Sequence, residues 1–127
     1  MTKKYVVVLN GERIGTTELE KADAPMGVVF GLIAFDEIAS PYEFFRDYCK
    51  RNDVVLNSDE PENELIDTQD IKSLSVLNEY GKEIKGEATS INGLKGEGYY
   101  VEIIGIAYPF YGEEFPHHVE AYDNQFK

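Results

Sequence analysis

Several residue types are scarce in this sequence, and each scarcity limits what the protein can be. The chain has one cysteine, two histidines and no tryptophan. A single cysteine, Cys49, cannot form an internal disulfide, so nothing in the chain requires an oxidising compartment. No histidine lies near Cys49 in the sequence, and the residue falls on the apolar side of a predicted helix. We therefore interpret Cys49 as a structural residue rather than a nucleophile.

Long apolar segments are also absent. The longest uncharged apolar run, residues 24–35, has twelve residues, a length typical of a protein core and too short for a membrane span. Lys3 and Lys4 precede only five apolar residues, fewer than the core of a signal peptide needs. These features predict a cytoplasmic protein that does not contact membranes.

Basic residues are scarce relative to acidic ones. Twelve lysines and arginines stand against twenty-four aspartates and glutamates, which gives a net charge of −12. Nucleic acid and anionic membranes would repel such a surface, so we expect neither as a direct partner. A basic protein surface, a metal ion or a cationic ligand remains compatible with this charge. The alternative is that the charge only maintains solubility.

Sequence motifs for common cofactors and hydrolytic reactions are missing. The spacing of Gly93, Gly96 and Gly98 does not match a dinucleotide fingerprint, and the chain has no phosphate-binding loop of the Gly-Lys-Ser/Thr type. No Gly-x-Ser-x-Gly elbow occurs either. We therefore predict no cofactor and favour a protein that is not an enzyme.

The longest strand-forming run is residues 98–111, GYYVEIIGIAYPFY. A glycine-rich turn at residues 92–98 precedes it, and Pro109 is expected to end its ladder of hydrogen bonds. From Ile103 onward both faces of this run are apolar, which predicts a central strand covered on both sides. At 127 residues, the chain suits one domain built around this strand.

The first part of the chain predicts a hairpin, a strand and a helix. Asn10-Gly11 between residues 5–9 and 13–19 is a strong hairpin signal. Residues 26–35 predict a buried third strand, with a helix as the alternative. Ser40 and Glu43 form a capping box for a helix with an apolar side. The residues on that side are Phe44, Phe45, Tyr48 and Cys49.

The middle segment, residues 53–70, has seven acidic residues and no basic one. Short strands at 54–56 and 65–66 would flank an exposed turn at 58–63. A second hairpin is predicted from strands at 73–78 and 83–91. A last helix should begin near Pro116 and run toward Asn124, with Phe115, Val119, Tyr122 and Phe126 facing the sheet.

The two ends of the chain resemble each other. VLNGERIG at 8–15 parallels VLNEYGKEIKG at 76–86, and a strand and a proline-initiated helix follow each. We interpret this as a weak duplication with halves 1–52 and 71–127 joined by 53–70; chance similarity of two hairpins is the alternative. The predicted fold is one α+β domain with a mainly antiparallel sheet and two amphipathic helices on one face.

Two groups of residues are candidates for binding a partner. Interfaces concentrate energy in buried aromatic residues, while opposite charges select the partner. The acidic candidates are Asp59, Glu60, Glu62, Glu64, Glu113 and Glu114, and the aromatic candidates are Tyr108, Phe110, Tyr111 and Phe115. The alternative for the aromatic group is that these rings fold beneath their loop and pack on the end of the sheet.

A rival interpretation uses the cluster His117, His118, Glu113 and Glu114 for acid–base chemistry or ligand binding. Adjacent helical histidines point about 100° apart, which disfavours a shared metal ion, so we predict no metal site. The leading hypothesis is a non-enzymatic acidic protein that occludes a basic partner, such as an inhibitor or immunity protein of a nuclease. A self-associating subunit that uses exposed sheet edges is the third alternative.

Overall fold

The computed structural model describes residues 3–126. Its first turn, at Asn10 and Gly11, is explained by local sequence signals. Asn10 and Gly11 both have positive φ angles, 52° and 82°, as the mirror-image two-residue turns of hairpins require. This turn joins the first two strands with Leu9 opposite Glu12. The predicted opening hairpin is confirmed.

Nine strands and three α-helices follow one another within residues 3–126. The strands are β1 (Tyr5–Leu9), β2 (Glu12–Thr17), β3 (Lys21–Asp23), β4 (Val28–Phe35), β5 (Leu56–Glu60), β6 (Leu65–Thr68), β7 (Leu74–Leu77), β8 (Ala88–Leu94) and β9 (Gly98–Ile104). The helices are α1 (Pro41–Arg51), α2 (Phe110–Glu114) and α3 (Pro116–Asn124), with short 3-10 helices at Ala24–Met26 and Pro61–Asn63.

All strands belong to one antiparallel sheet. Eight of them follow the order β5-β6-β8-β9-β4-β2-β1-β7, and β3 is a side branch that pairs with β4. The predicted α+β class is confirmed. Strand β9 lies between β4 and β8, so its central position is also confirmed. It ends earlier than predicted, at Ile104, because Gly105 turns the chain with a φ of 71° before Pro109 is reached.

The helices pack against one face of the sheet. Helix α1 begins as predicted, with the Ser40 hydroxyl accepting a hydrogen bond from the Glu43 amide at 3.5 Å, and it buries Phe45 and Cys49 completely. Leu9 of β1 and Phe44 of this helix line one surface depression. Tyr5 lies four residues earlier on the same face of β1. Its ring packs against Phe115, the residue that separates α2 from α3. The third helix, α2, was not predicted.

Three local predictions are wrong. Ser58–Glu60 lie in strand β5 rather than in an exposed turn. The second hairpin is reduced to one bridge between Leu77 and Glu83, because β7 pairs with β1 and the return strand, β8, pairs with β9 and β6. Phe126 does not face the sheet, since 73% of its surface is exposed.

Two of the three pairs of strands proposed as equivalents in the internal repeat are neighbours in the sheet, whereas β2 and β8 are not. Val7 of β1 lies opposite Val76 of β7, and Val29 of β4 lies opposite Ile103 of β9. Antiparallel pairing of this kind is what a two-fold relation between the halves would produce. The joining segment forms β5 and β6 at one edge of the same sheet. The duplication itself stays a prediction.

Candidate functional site: the open face of the sheet

The face of the sheet opposite the helices brings together a set of large side chains. Residues that are directly opposite in an antiparallel pair project to the same side, and so do alternate residues along a strand. In the register of β9 with β4, Tyr100 lies opposite Leu32 and Glu102 opposite Phe30. We define the open face as the six residues at the centre of this side: Val28, Phe30, Leu32, Tyr100, Glu102 and Ile104.

None of the helices within residues 3–126 covers the open face. Leu32 and Ile104 are 43% and 40% exposed, and the other four residues are half-buried. The rings of Phe30 and Tyr100 lie 6.2 Å apart between centroids. The result is a partly apolar surface that water reaches, at the centre of a sheet rather than at its edge.

The border of the open face is polar. On one side, β8 places Ser90 opposite Glu102 and Asn92 opposite Tyr100, and Asp67 of β6 lies opposite Asn92. On the other side, Lys21 of β3 lies opposite Phe30, and its amine lies 5.3 Å from the centroid of the Tyr100 ring. Aromatic and aliphatic residues surrounded by a polar border are the usual composition of a protein interface.

Glu102 is the one acidic residue among the six. Partial burial and, after it, the nearby negative charge of Asp67 raise the pKa of the Glu102 carboxyl. Its carboxylate makes no hydrogen bond or ion pair with any other residue in 3–126. A cation placed against it would favour the charged carboxylate and so oppose the shift.

The alternating pattern in the sequence identified the residues of this face, but we predicted that the face would be covered. Tyr100, Glu102 and Ile104 form the second face of the longest strand-forming run, and we expected that face to be covered. In the part of the chain that the structure describes, the prediction of cover on both sides is wrong, because α1, α2 and α3 all pack on the side of Tyr99 and Val101.

The predicted acidic candidates at the β5–β6 hairpin are only partly free. Asp59 accepts hydrogen bonds from the Tyr42 hydroxyl and, at 3.0 Å, from Arg46, which together lower the pKa of its carboxyl. Glu64, with a φ of 45°, pairs with Lys95 at 3.4 Å. Glu60 and Glu62 are exposed at the tip of the hairpin. Two of the four predicted anions are therefore already paired with basic residues of the chain.

The predicted aromatic candidates divide between core and surface. Tyr111 and Phe115 are fully buried, and the Tyr111 hydroxyl donates to the Val28 carbonyl at 2.9 Å. Phe110 is half-buried beneath the amine of Lys82, 4.6 Å from its centroid. Tyr108 is 50% exposed, although its hydroxyl donates to the Ala24 carbonyl. Most of this group packs on the end of the sheet, as the alternative interpretation proposed.

The predicted acid–base cluster is not assembled. Glu114 accepts hydrogen bonds from Tyr5 at 2.8 Å and from Asn78 at 3.2 Å. His118 is buried, and its Nε2 contacts the Leu19 carbonyl at 2.8 Å. The side chain of His117 reaches water although part of it is buried. That partial burial and, after it, the nearby His118 and Lys3 lower its pKa. Within residues 3–126, neither histidine hydrogen-bonds to Glu113 or Glu114.

Acidic charge remains in excess after ion pairing. Five ion pairs within residues 3–126 engage five of the twenty-four acidic residues and leave nineteen. The pairs are Lys3–Glu114, Arg13–Asp36, Arg46–Asp59, Lys72–Asp70 and Lys95–Glu64. The unpaired carboxylates lie on most elements of the fold rather than at the β5–β6 hairpin alone. The negative charge is thus spread over the whole surface.

Metal-ligand clusters, membrane-spanning helices and surface depressions were the remaining features of interest within residues 3–126. No group of three or more histidine, cysteine or acidic side chains in 3–126 is arranged to hold a metal ion, and no helix there is long and apolar enough to cross a membrane. A surface depression of about 610 Å³ between α1 and the segment before β7 includes none of the predicted site residues. Comparison with known protein families, characterised proteins and solved structures finds no match to this chain.

Proposed function

We propose that this protein is a non-enzymatic acidic binding protein that occludes a basic partner protein, as inhibitors and immunity proteins of nucleases do, and that it does so in the cytoplasm. The observation that supports this proposal is the open face, where aromatic and aliphatic side chains stay in contact with water at the centre of the sheet. Such residues gain free energy when a second protein removes them from water.

The charge of the chain favours a basic partner over a second copy of itself. Two copies with a net charge of −12 each repel one another, whereas a basic protein is attracted and reaches the surface faster. Glu102 and Asp67 lie on or beside the open face and would be buried on binding. Burial of these carboxylates is tolerated only when cationic groups of the partner compensate for the lost water.

The β5–β6 hairpin supplies a second, electrostatic contribution to the proposal. Glu60 and Glu62 are exposed and can attract a cationic partner before contact is made. Replacing both by glutamine should slow association and weaken its dependence on salt, with little effect on dissociation. Including Asp59 and Glu64 would also remove ion pairs inside the chain, so the double variant is the cleaner test.

Partner capture followed by a matched pair of variants tests the proposal. The tagged protein is incubated at low salt with lysate of the cells that produce it, and proteins released by salt are identified and purified. Binding is then measured by calorimetry for the parent, Leu32→Lys in the open face, and Phe126→Lys, an exposed apolar residue after α3. We expect the captured partner to be a basic protein. Its dissociation constant should rise at least tenfold, about 1.4 kcal/mol, for Leu32→Lys and should not change for Phe126→Lys.

Two results would overturn the proposal. One is the absence of any basic protein that binds the purified chain. The other is equal binding by the parent and Leu32→Lys. A concentration-dependent dimer that Leu32→Lys dissociates would instead assign the open face to self-association, as analytical ultracentrifugation can detect.

A further inference from the structure

We infer that the open face carries a recognition point for an arginine side chain of the partner, formed by the Glu102 carboxylate and the rings of Phe30 and Tyr100. This inference rests on the proposed function and deepens it by naming the chemical group that is recognised. The three side chains are neighbours because Glu102 lies opposite Phe30 across the β9–β4 pair, while Tyr100 is two residues from Glu102 on the same strand.

The carboxylate at this point has no partner of its own. Within residues 3–126, Asp67 of β6 is half-buried and unpaired, whereas Asp59, Glu64 and Asp70, which are also half-buried on or near the sheet, each pair with a basic residue. Glu102 does not, although it too is half-buried. Partial removal of water without a compensating cation costs free energy, and a cation from outside the chain would recover it.

One of the adjacent rings, that of Tyr100, already interacts with a cation. The Lys21 amine lies 5.3 Å from the Tyr100 centroid, within the distance at which a ring attracts positive charge. Phe30, 6.2 Å from Tyr100, adds a second aromatic face beside Glu102. Lys21 therefore occupies one side of the recognition point and would compete with an incoming cation for it.

Arginine fits this arrangement better than lysine does. Its planar guanidinium can stack on an aromatic ring while two of its N–H groups donate to one carboxylate. Lysine is a more strongly hydrated point charge and cannot make both contacts in one plane. Arginine is also enriched in the cores of interfaces, whereas lysine is depleted there.

Titration of the free protein with small probes tests the inference without the partner. The ¹⁵N-labelled full chain is titrated with N-acetylarginine amide, with the lysine analogue, and with the citrulline analogue, which is neutral and nearly the same shape, all at one ionic strength. We expect saturable shifts for the arginine probe, centred on residues 30, 100 and 102. The lysine probe should bind more weakly, and the citrulline probe should give no saturable response.

Variants then assign the response to specific groups. Glu102→Gln should abolish saturable binding of the arginine probe, and Lys21→Ala should tighten it at least two-fold, because the competing amine is gone. Asp47→Asn and Lys50→Ala remove the same charges from exposed positions on α1, on the other side of the sheet, and should leave binding unchanged. Urea denaturation of each variant confirms that it is folded.

Three results would overturn the inference: no saturable shift at the open face, an equal response to the lysine or citrulline probe, or arginine binding that survives Glu102→Gln. Its failure is distinguishable from failure of the proposed function. If the parent and Glu102→Gln bind the captured partner equally, the protein is a binding protein without this recognition point. If the arginine probe binds but no basic partner exists, the proposed function fails alone.

Discussion

The Tyr5 hydroxyl donates a hydrogen bond of 2.8 Å to the carboxylate of Glu114, which lies 109 residues later at the end of α2. Asn78 donates to the same carboxylate at 3.2 Å, and Lys3 pairs with it at 3.5 Å. Burial and, after it, the hydrogen bond to Glu114 raise the pKa of Tyr5 well above its usual range. This network connects the first strand, the turn after β7 and the helical layer.

Removing the Tyr5 hydroxyl should therefore destabilise the fold. A hydrogen bond to a charged group contributes about 1.5–3 kcal/mol, so we expect Tyr5→Phe to lower the free energy of unfolding by that amount in urea titrations. Tyr80→Phe is the matched control, because Tyr80 is 86% exposed and its hydroxyl makes no hydrogen bond within residues 3–126. Equal stability of the two variants would contradict the role assigned to this network.

Asp59 should make stability depend on acid pH. Its carboxyl has a pKa below the ordinary 3.8, first because of the Tyr42 hydroxyl and then because of Arg46. For a group with a lowered pKa, the stabilising contribution is present above 3.8 and is lost as pH falls through the lower, folded-state value. We expect Asp59→Asn to be less stable than the parent at neutral pH, and the difference to shrink below pH 3.8.

Urea midpoints measured across pH for both proteins check this prediction. Asp47→Asn, the same substitution at an exposed position on α1, is the control. A gap between parent and Asp59→Asn that stays constant from neutral to strongly acidic pH would show that Asp59 does not contribute through its charge.

His118 should be a structural residue rather than a catalytic one. Its Nε2 contacts the carbonyl of Leu19, a fully buried residue held at a φ of 47°. His118→Phe would leave that buried carbonyl without a partner, which costs about 1–3 kcal/mol. His117→Phe, at the exposed neighbouring position, should change stability by roughly 0.5 kcal/mol or less. A stable His118→Phe protein with altered zinc binding would favour the rival ligand-binding interpretation.

Cys49 should be unreactive while the protein is folded. The side chain is fully buried, and burial raises the pKa of its thiol to about 11, so little thiolate is present at neutral pH. We expect its modification by a disulfide reagent to proceed at the rate of unfolding and to accelerate with urea as the unfolded fraction grows. Rapid labelling in the absence of urea would contradict the buried position.

Features governed by local interactions were predictable from the sequence. The Asn10-Gly11 turn, the cap at Ser40 and the start of α3 at Pro116 each depend on residues within a few positions of one another. The second hairpin was not predictable in this way, because β7 pairs with β1, a strand some seventy residues earlier. The sequence of residues 73–91 contains no feature that indicates this long-range pairing.

Only part of the candidate site could be predicted from the sequence. Alternation along residues 98–104 correctly placed Tyr100 and Glu102 on one face, but the pattern does not say whether another layer covers that face. Likewise, the dense acidic run predicted free anions at the β5–β6 hairpin, whereas Arg46 and Lys95 reach Asp59 and Glu64 from other elements. The sequence around an acidic residue does not show whether a basic residue from a distant element pairs with it.

Carboxylate footprinting of the complex tests the central claim most directly. The protein, alone and bound to its captured basic partner, is treated with a carbodiimide and glycine ethyl ester, and the modification of each acidic residue is quantified by mass spectrometry. We predict strong protection of Glu102 and Asp67, with Asp47 on α1 equally modified in both states. Unchanged modification of Glu102, with protection confined to residues on the helical side, would contradict binding at the open face.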